Sequence, residues 1–339
     1  MTVLVDGVEK RVGLAMSGGG FRAAAFHLGV MKQLQAFGLL DKIDLLTCVS
    51  GGSIAGGSLA VNWASPDKLP ILDNYLRTRS IAVSSFIGGA LDPFHSRLDK
   101  LADSYDRDLF RSKKLSDLSA GPRVYFNSTN LATGNMFFFV AGGGGDCEMG
   151  DYELGVAPAS GFPISRAVAA SSAFPPVFPP LRLNASVYPP GDSVEYVTLT
   201  DGGIYDNMGI NPLLRPRNAL DYIIVSDGGK PFANDVQPTE SGAIVLKAGL
   251  DIMMEQIRGL EFDRLQHRHL AGKGGKPMWF SIDSRVGEAQ PGDAAFASAI
   301  DTNLRKLSDD EMIVLTRHGG ALVKQRLSSY APELIPAAS

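Results

Sequence analysis

A serine follows a buried strand within a glycine-rich turn, which is a place where a nucleophile can be mounted. Residues 43–49 are mostly apolar and predict the strand, residues 51–53 (Gly-Gly-Ser) form the turn, and residues 54–63 favour a helix. Glycines beside the serine permit strained backbone angles, and the free N–H groups at the start of the helix favour developing negative charge. The Gly-x-Ser-x-Gly pattern of a nucleophile elbow fails only at Ala55. We take Ser53 as the candidate nucleophile, with an ordinary glycine-rich turn as the alternative.

A second glycine-rich loop precedes this serine by one helix and one strand. Residues 11–16 predict a strand, residues 24–34 have the apolar spacing of a helix, and the loop between them contains Gly18, Gly19 and Gly20. Because glycine has no side chain, these residues can turn their N–H groups toward an anion, either a phosphate or the oxyanion of an acyl transfer. The spacing argues against a dinucleotide fingerprint, since the third glycine of that motif is missing. The loop is not followed by Gly-Lys-Ser or Gly-Lys-Thr, which excludes a P-loop.

An aspartate follows a later apolar strand. Residues 196–200 predict the strand, and Asp201 comes directly after it, with two glycines next. Catalytic side chains are often mounted at such strand ends, although a plain Asp-Gly turn is a common alternative. Asp206 and Asn207 could suggest a cation site, but nothing near them in the sequence has the spacing of metal ligands. Asp201 is therefore a candidate catalytic carboxylate, and we expect no metal site.

Two strand–loop–helix units follow one another within residues 11–65, which predicts an α/β protein with a parallel sheet. Both loops of such units emerge at the carboxyl edge of the strands, where ligands bind. If the two strands are neighbours, the glycines at 18–20 lie beside Ser53. The first loop would then supply N–H donors and the second would supply the nucleophile.

The rest of the sequence predicts supporting helices and strand pairs. Residues 123–129 and 136–140 predict a hairpin, and residues 141–164 predict a glycine-rich loop with a polar connection. The apolar stretch 81–95 predicts either packing helices or a cap that contacts lipid. A capping box that begins at Ser308 opens the final helix.

Length and composition limit the class of protein. The chain has 339 residues and a formal net charge of −4, which fits one large α/β domain and gives no indication of nucleic-acid binding. We predict a single domain over residues 1–339, with its motifs in residues 10–230 and a helical region at 240–330. Two cysteines give neither a disulfide framework nor a metal cluster. The sequence shows no signal peptide and no membrane span, so we expect a soluble cytoplasmic protein.

The two glycine-rich turns and the aspartate occur in an order that resembles a known family. Residues 17–23 (Ser-Gly-Gly-Gly-Phe-Arg-Ala), the Ser53 turn, residues 170–178 (Ala-Ser-Ser-Ala-Phe-Pro-Pro-Val-Phe) and the Asp201 turn are similar to those of patatin-like phospholipases. They also resemble the related catalytic domain of cytosolic phospholipase A. The match covers roughly residues 10–230. It implies a three-layer α/β/α fold around a mainly parallel central sheet, with the nucleophile elbow after an early strand.

The resemblance implies a catalytic dyad of Ser53 and Asp201 without a histidine. Ser53 would attack the carbonyl of a phospholipid or another acyl ester, and Asp201 would take its proton and return it to the leaving alcohol. An acyl-enzyme would form and be hydrolysed by water, with no metal and no cofactor. A lipid substrate also implies transient contact with a membrane surface.

The resemblance assigns roles to the first loop as well. The N–H groups of Gly18, Gly19 and Gly20 would form the oxyanion hole. Arg22 would either bind the phosphate of a phospholipid or hold the glycine loop in place. The sequence does not separate these two roles.

Three other classes of protein remain open. The chain could be an effector of the same fold whose lipid hydrolysis is switched by a ligand or a partner. It could be a phosphate-binding protein without catalysis, although Ser53 and Asp201 argue against that class. It could also be a carboxylesterase that uses a histidine, since His267, His269 and His318 follow in the order Ser, Asp, His. The early position of the serine weighs against the esterase, and we expect these histidines to be solvated.

Overall fold

A ten-stranded mixed sheet forms the centre of the protein, and a separate two-stranded hairpin precedes it. The computed structural model describes residues 3–81, 97–189, 191, 193–232 and 241–335. Helices cover both faces of the large sheet. This arrangement gives three layers, with helices, strands and helices in turn.

The strands that carry the central part of the sheet are buried along their whole length, as is usual where helices cover both faces. The strands are β1 (Val3–Val5), β2 (Val8–Lys10), β3 (Val12–Met16), β4 (Leu45–Val49), β5 (Arg123–Asn130), β6 (Met136–Ala141), β7 (Glu148–Asp151), β8 (Gly155–Pro158), β9 (Leu181–Leu183), β10 (Val197–Asp201), β11 (Tyr222–Asp227) and β12 (Lys276–Ser281).

The helices connect the parallel strands and make up much of the described C-terminal third of the chain. A π-helical turn, Asp106–Phe110, extends one of them. The α-helices are α1 (Gly20–Ala36), α2 (Gly51–Val61), α3 (Lys68–Thr78), α4 (Arg97–Tyr105), α5 (Ile164–Ser171), α6 (Gly203–Asp206), α7 (Gly242–Leu270), α8 (Asp293–Ala299) and α9 (Asp309–Tyr330).

The large sheet has the strand order β12-β11-β3-β4-β5-β6-β7-β8. The first five of these strands are parallel, and the remaining three are antiparallel. β10 also pairs with β5, antiparallel, and β9 pairs with β10. Because β3 and β4 are parallel neighbours, the loops that follow them emerge side by side at the carboxyl edge of the sheet.

The ends of β4 and β10 meet head to head along one edge of β5. β4 pairs with β5 as far as Val49, which lies opposite Asn127. β6 occupies the other edge of β5, so β10 continues on the β4 side from the opposite direction. Its last residue, Asp201, lies opposite Ser128. The pairing therefore places Asp201 beside Ser50, the residue that follows Val49.

Two apolar cores lie on the two faces of the sheet. Val12, Leu14 and Met16 of β3 belong to the larger core, whereas Ala15 belongs to the smaller one, together with Leu265 of α7. This alternation follows from the two-residue period of a strand. The sequence pattern of β3 therefore buries both of its faces.

The fold class predicted from the sequence is confirmed. The protein has an α/β architecture, the strands that flank the glycine-rich turns are parallel, and antiparallel strands complete the sheet. The hairpin of β5 and β6 and the capping box at Ser308 are also confirmed. The interpretation of residues 141–164 as a loop is wrong, because this segment contains β7 and β8. The hairpin of β1 and β2 was not predicted.

The lipid-contacting cap predicted at 81–95 lies, apart from Ile81, outside the described residues. Within the described part of the chain, no helix combines the length and the apolar character that crossing a bilayer requires.

Helices α1 and α9 pack so closely that their backbones touch at glycine. A Cβ atom at Gly319 would clash with the carbonyl oxygen of Phe26, and one at Gly29 would clash with the carbonyl oxygen of Thr316. Neither obstacle is the flexible end of a side chain, so the helices would have to separate. The two glycines therefore set the distance between α1 and α9.

We expect Gly319→Ala to destabilise the protein by roughly 1–3 kcal/mol, the usual cost of overpacking a core. The matched control is Gly259→Ala, because Gly259 lies on the exposed face of α7 with nothing within 4 Å of an added Cβ. That variant should be neutral or slightly more stable, since alanine favours helix more than glycine does. Thermal unfolding of both variants checks this, and equal melting temperatures would contradict the packing argument.

Candidate active site

Ser50 occupies the strand-to-helix turn between β4 and α2. Its φ of 50° and ψ of −114° lie in a region that non-glycine residues rarely adopt. Such strain clusters at functional sites, where the surrounding structure holds it. Ser50 precedes the first residue of α2, so its side chain stands at a helix N-terminus, and it is partly exposed. Among the described residues of this turn, Ser50 has the geometry of a nucleophile elbow.

The two glycines after Ser50 are required by close contact with the first glycine loop. A Cβ atom at Gly51 would clash with the backbone of Gly20, and one at Gly52 would clash with the carbonyl oxygen of Met16. The N–H of Gly52 also donates to the carbonyl of Ser17 at 3.0 Å. The two strand-to-helix turns are therefore packed backbone against backbone.

The prediction that Ser53 lies at the turn is wrong. Ser53 belongs to the first turn of α2 and is completely buried. Its Oγ lies 2.8 Å from Oγ of Ser171. The Ser171 hydroxyl donates to the carbonyl of Asn127 at 2.6 Å, so it can only accept from Ser53. The Ser53 hydroxyl thus donates to a neighbouring helix, and this bond ties α2 to α5.

Ser171 also fixes the strained turn. Its Oγ accepts a hydrogen bond from the backbone N–H of Ser50 at 3.0 Å. A single hydroxyl therefore links α2, the Ser50 turn and β5. No local sequence pattern indicates this role for Ser171.

Asp201 is buried at the end of β10, where it faces Ser50. Its Oδ1 accepts the N–H of Gly203 at 2.7 Å, and its Oδ2 has no hydrogen-bond partner of full geometry among the described residues. Burial raises the pKa of Asp201 to about 7, against the opposing effects of the Gly203 N–H and the nearby Ser50 hydroxyl. Ser50 is therefore close enough to Asp201 for its hydroxyl to affect this pKa.

The first glycine loop lies against this pair, but its three N–H groups are not equivalent. The N–H of Gly18 donates to the carbonyl of Asn207 at 3.1 Å, so the expectation that it is free for an oxyanion is wrong. The N–H groups of Gly19 and Gly20 have no acceptor in the described part of the chain, and Gly20 begins α1. Gly19, with a φ of 139°, and Gly20, with a φ of 61°, adopt angles that favour glycine.

Asn207 joins the glycine loop to the aspartate turn. Besides its carbonyl bond to Gly18, its side-chain oxygen lies where a Cβ atom at Gly18 or Gly203 would have to go. The same Gly18 position is 3.2 Å from Cβ of Ser50. Asn207 therefore joins the Gly18 loop to the Gly203 turn, and Gly18 in turn lies against Ser50. The sequence did not reveal this role.

Arg22 is completely buried beneath the glycine loop. Its Nη1 donates to the carbonyl of Ile300 at 2.7 Å, and its Nη2 donates to that of Gly228 at 3.2 Å. Burial lowers its pKa to about 10, against the attraction of Asp227. Of the two roles considered for Arg22, support of the loop agrees with these contacts. A guanidinium in this position does not reach a phosphate at the surface.

His27 supports the same loop from α1. Its Nε2 lies 2.9 Å from the carbonyl oxygen of Ser17, and its Nδ1 lies 2.8 Å from Oγ of Ser226. Burial lowers its pKa to about 4, so the ring is neutral near pH 7. A neutral ring can donate from Nε2 to Ser17 and accept from Ser226 at Nδ1.

The other described histidines give no support to a histidine-dependent triad. His318 is buried, which contradicts the expectation that it is solvated, because α9 packs its ring against Phe26. Its Nε2 lies 2.8 Å from the carbonyl of Ile282. His267 and His269 lie in the last turn of α7.

The carboxylate of Asp206 is a structural acceptor. It accepts hydrogen bonds from the N–H groups of Gly209 and Asn211 and from the Asn211 amide, and it lies near Glu261. Burial raises the pKa of both carboxyl groups. In the ranges that the structure describes, no three His, Cys, Asp or Glu residues are grouped as metal ligands.

The sequence contained the signal that separates Ser50 from Ser53. Each serine misses one glycine of the elbow pattern, since Cys48 replaces the first glycine for Ser50 and Ala55 replaces the last for Ser53. The elbow residue must follow the strand directly. β4 ends at Val49, and the residue that follows it is Ser50. Position relative to the strand therefore identifies Ser50 as the serine at the turn.

A family model described as patatin-like phospholipase matches residues 14–214. The structure of human GIVD cytosolic phospholipase A2 is similar over 96% of this chain and 60% of that chain, with a TM-score of 0.64 and 13% identity. This chain thus spans about 60% of the length of the human protein, and at such low identity the likeness shows the fold alone. Comparison with curated proteins found no match.

Two further solved structures are similar. The human enzyme in complex with the inhibitor methyl gamma-linolenyl fluorophosphonate and terbium chloride has a TM-score of 0.59 at 16% identity, over 96% of this chain and 59% of that chain. VipD from Legionella pneumophila has a TM-score of 0.43 at 15% identity, over 95% of this chain and 67% of that chain.

The raised pKa of Asp201 predicts a stability cost that depends on pH. Between about pH 4 and pH 7 the native carboxyl keeps its proton while the unfolded one loses it, so stability falls as the pH rises through this window. Asp201→Asn removes that cost. We expect this variant to melt above wild type at pH 8 and to match it at pH 4.

Asp221→Asn is the control of opposite sign. Burial alone would raise the pKa of Asp221, but the N–H of Arg11 and the ammonium of Lys10 outweigh burial and lower it. This carboxylate therefore stabilises the fold once it is ionised, and Asp221→Asn should melt below wild type at pH 8. An Asp201→Asn variant that is no more stable than wild type at pH 8 would contradict the inference that burial of the ionised Asp201 carboxylate reduces the free energy of unfolding.

Proposed function

Because this chain belongs to the patatin-like phospholipase family, we propose that it is a lipid acyl hydrolase whose nucleophile is Ser50 and whose general base is Asp201. The observation that carries the proposal is the head-to-head meeting of β4 and β10. It brings a strained, partly exposed serine to a buried carboxylate with one oxygen unpartnered in the described structure. Ser50 thus replaces Ser53, which the sequence favoured.

The proposed reaction needs only groups of this chain and water. Ser50 Oγ attacks the carbonyl carbon of the ester while Oδ2 of Asp201 takes its proton. The tetrahedral intermediate then expels the alcohol, which receives the proton from Asp201, and an acyl-enzyme remains. Water then attacks the acyl-enzyme while Asp201 takes its proton. This proton returns to Ser50 Oγ as the fatty acid leaves. The substrate we propose is a phospholipid or a related acyl ester.

The oxyanion would be held by the N–H groups of Gly19 and Gly20. Both are without acceptors among the described residues, and both belong to the loop that packs on Gly51 and Gly52. The N–H of Gly51, at the start of α2, is a third candidate donor. Such donors contribute most when they are fixed before the reaction, and each is typically worth about 2.7–4 kcal/mol. Arg22, His27 and Asn207 would act by holding this loop.

A carboxylate with its pKa near 7 is a better base for a hydroxyl than an ordinary aspartate. Burial raises the proton affinity of Asp201, and the same dry surroundings strengthen its interaction with the Ser50 hydroxyl. This property would allow a dyad to work without a histidine. The two buried histidines in the described part of the chain bind elsewhere. His27 contacts Ser17 and Ser226, and His318 contacts the carbonyl of Ile282.

Replacement of the two serines separates this proposal from the alternative that the sequence favoured. Ser50→Ala should lower turnover of a soluble short-chain ester by about a thousandfold or more, as loss of a nucleophile does. Ser53→Ala should stay within about tenfold of wild type and lose about 1 kcal/mol of stability, the usual worth of one hydrogen bond. Turnover measured beside thermal unfolding checks both. An active Ser50→Ala variant, or a folded but inactive Ser53→Ala variant, would contradict the proposal.

The pH dependence of turnover tests Asp201. Only the ionised carboxylate can accept the Ser50 proton, so kcat/KM for a soluble ester should rise with pH and level off above an apparent pKa of about 7. Glu261, which also has a raised pKa near 7, is the control, because its carboxyl interacts with Asp206 and not with Asp201. Glu261→Gln should keep the same profile. A profile that is flat from pH 5 to pH 9 would contradict the assignment of Asp201 as base.

A further inference from the structure

Helix α7 extends far past the edge of the sheet. Arg258 shows which part of α7 lies level with the edge of the sheet. Its guanidinium binds the last residues of two neighbouring strands, Asp227 of β11 at 2.6 Å and Ser281 of β12 at 2.7 Å. Residues 242–257 of α7 precede this contact. At 1.5 Å per residue they represent about 24 Å of helix. We call residues 242–257 the overhang.

The overhang lies at the same edge of the sheet as the candidate active site. β11 and β3 are parallel neighbours, as are β3 and β4, so Asp227 and Ser50 both follow carboxyl ends of strands. α7 then runs back along the smaller core toward the start of β12. Its first half therefore projects on the side at which an ester must reach Ser50.

Most of the described apolar side chains of the overhang are exposed. Among the described side chains of α7, only Glu261 and Leu265 are buried, and both follow Arg258 in the sequence. By contrast, Leu246 is 76% exposed and Met253 is 56% exposed. The large apolar side chains exposed on the overhang are Val245, Leu246, Ile252 and Met253.

These four side chains form one stripe. Residues seven apart on an α-helix return to almost the same face, which groups Val245 with Ile252 and Leu246 with Met253. Leu260, 68% exposed and seven residues beyond Met253, continues the stripe toward the body of the protein. A helix whose own fold leaves such a stripe in water indicates a contact with another apolar phase.

We propose that the overhang is the lipid-surface contact of this protein, which inserts the stripe of Val245, Leu246, Ile252 and Met253 into a bilayer and holds the active-site edge over it. The inference rests on the proposed function only in taking the substrate to be a membrane lipid. A hydrolase of such lipids must remain on the surface that contains its substrate. The stripe lies on the side of the protein where that substrate must enter.

The charges of the overhang decide which kind of lipid surface it fits. Its charged residues are Lys247, Asp251 and Glu255, so its formal charge is not positive, and Glu255 pairs with Arg258. Anionic lipid would therefore give it no attraction, unlike the basic amphipathic helices that need such lipid. The contact should be apolar, directed to a zwitterionic surface and little affected by salt.

Vesicle flotation with ether-linked phosphatidylcholine tests the proposal without any hydrolysis, because this lipid has no ester to cleave. The double variant Leu246→Asp, Met253→Asp should bind these vesicles at least tenfold more weakly than wild type. The control double variant Val8→Asp, Ile313→Asp alters two side chains of similar exposure on β2 and α9, and it should bind within twofold of wild type. Addition of phosphatidylglycerol should not strengthen wild-type binding.

Soluble-ester turnover of both double variants should equal that of wild type, which shows that they fold and that the active site is intact. Unchanged vesicle binding by the overhang variant would overturn the proposal, as would a wild-type protein that does not bind vesicles. A wild-type dimer that this variant converts to a monomer in light scattering would also overturn it, since a second copy would then cover the stripe. Vesicle binding that depends on the overhang in a protein without esterase activity would refute the proposed function and leave this inference standing.

Discussion

The site depends on one steric constraint, the contact of two strand-to-helix turns backbone against backbone. β3 and β4 are adjacent parallel strands, and the turn after β4 fits against the turn after β3 only because Gly51 and Gly52 have no Cβ. With α2 held so close, the chain must leave β4 through a residue with a positive φ. That residue is Ser50, whose strain is balanced by the Ser171 hydroxyl and by packing on both sides. The same contact brings the N–H groups of Gly19 and Gly20, which have no acceptor among the described residues, toward the serine.

The second constraint is the pairing of β5. β4 pairs with the first part of one edge of β5, and β10 pairs with its end from the opposite direction. The backbone ladder thus brings Asp201 to Ser50, and the Thr129 hydroxyl adds a hydrogen bond to the carbonyl of Asp201 at 2.8 Å. Burial at this junction raises the pKa of the carboxyl and reduces stability, while it makes the carboxylate a stronger base. A cost in folding at the residue proposed to do chemistry is the usual relation between stability and activity.

Much of this arrangement could be predicted from local signals. The apolar runs before Gly18 and before Ser50 predicted parallel strands, and the position of Asp201 at a strand end marked the carboxylate. The prediction that Ser53 lies at the turn relied on the glycine pattern, whereas the structure has Ser50 directly after β4 and Ser53 inside α2. β7 and β8 were missed because their sequences, Glu-Met-Gly-Asp and Gly-Val-Ala-Pro, have no strand pattern. Cross-strand pairing holds them in the sheet.

Other features depend on residues far apart in the chain. The N–H of Gly18 is occupied by the carbonyl of Asn207, a partner that no local pattern indicates. The support that Arg22 gives to the loop depends on carbonyl groups of Gly228 and Ile300 in the C-terminal half. The direction in which β10 meets β5 decides which serine faces Asp201. Such long-range contacts appear only when the fold is assembled.

A covalent adduct on the reacting serine identifies the nucleophile. A fluorophosphonate ester phosphonylates an activated serine hydroxyl with loss of fluoride. Trypsin then releases residues 43–68 as one peptide that contains both Ser50 and Ser53. Fragmentation of the labelled peptide between Gly51 and Gly52 shows whether the added mass is on the fragment that contains Ser50 or on the one that contains Ser53. We predict that the adduct lies on Ser50 and is absent from Ser50→Ala. An adduct on Ser53, or equal labelling of the Ser50→Ala variant, would contradict the account.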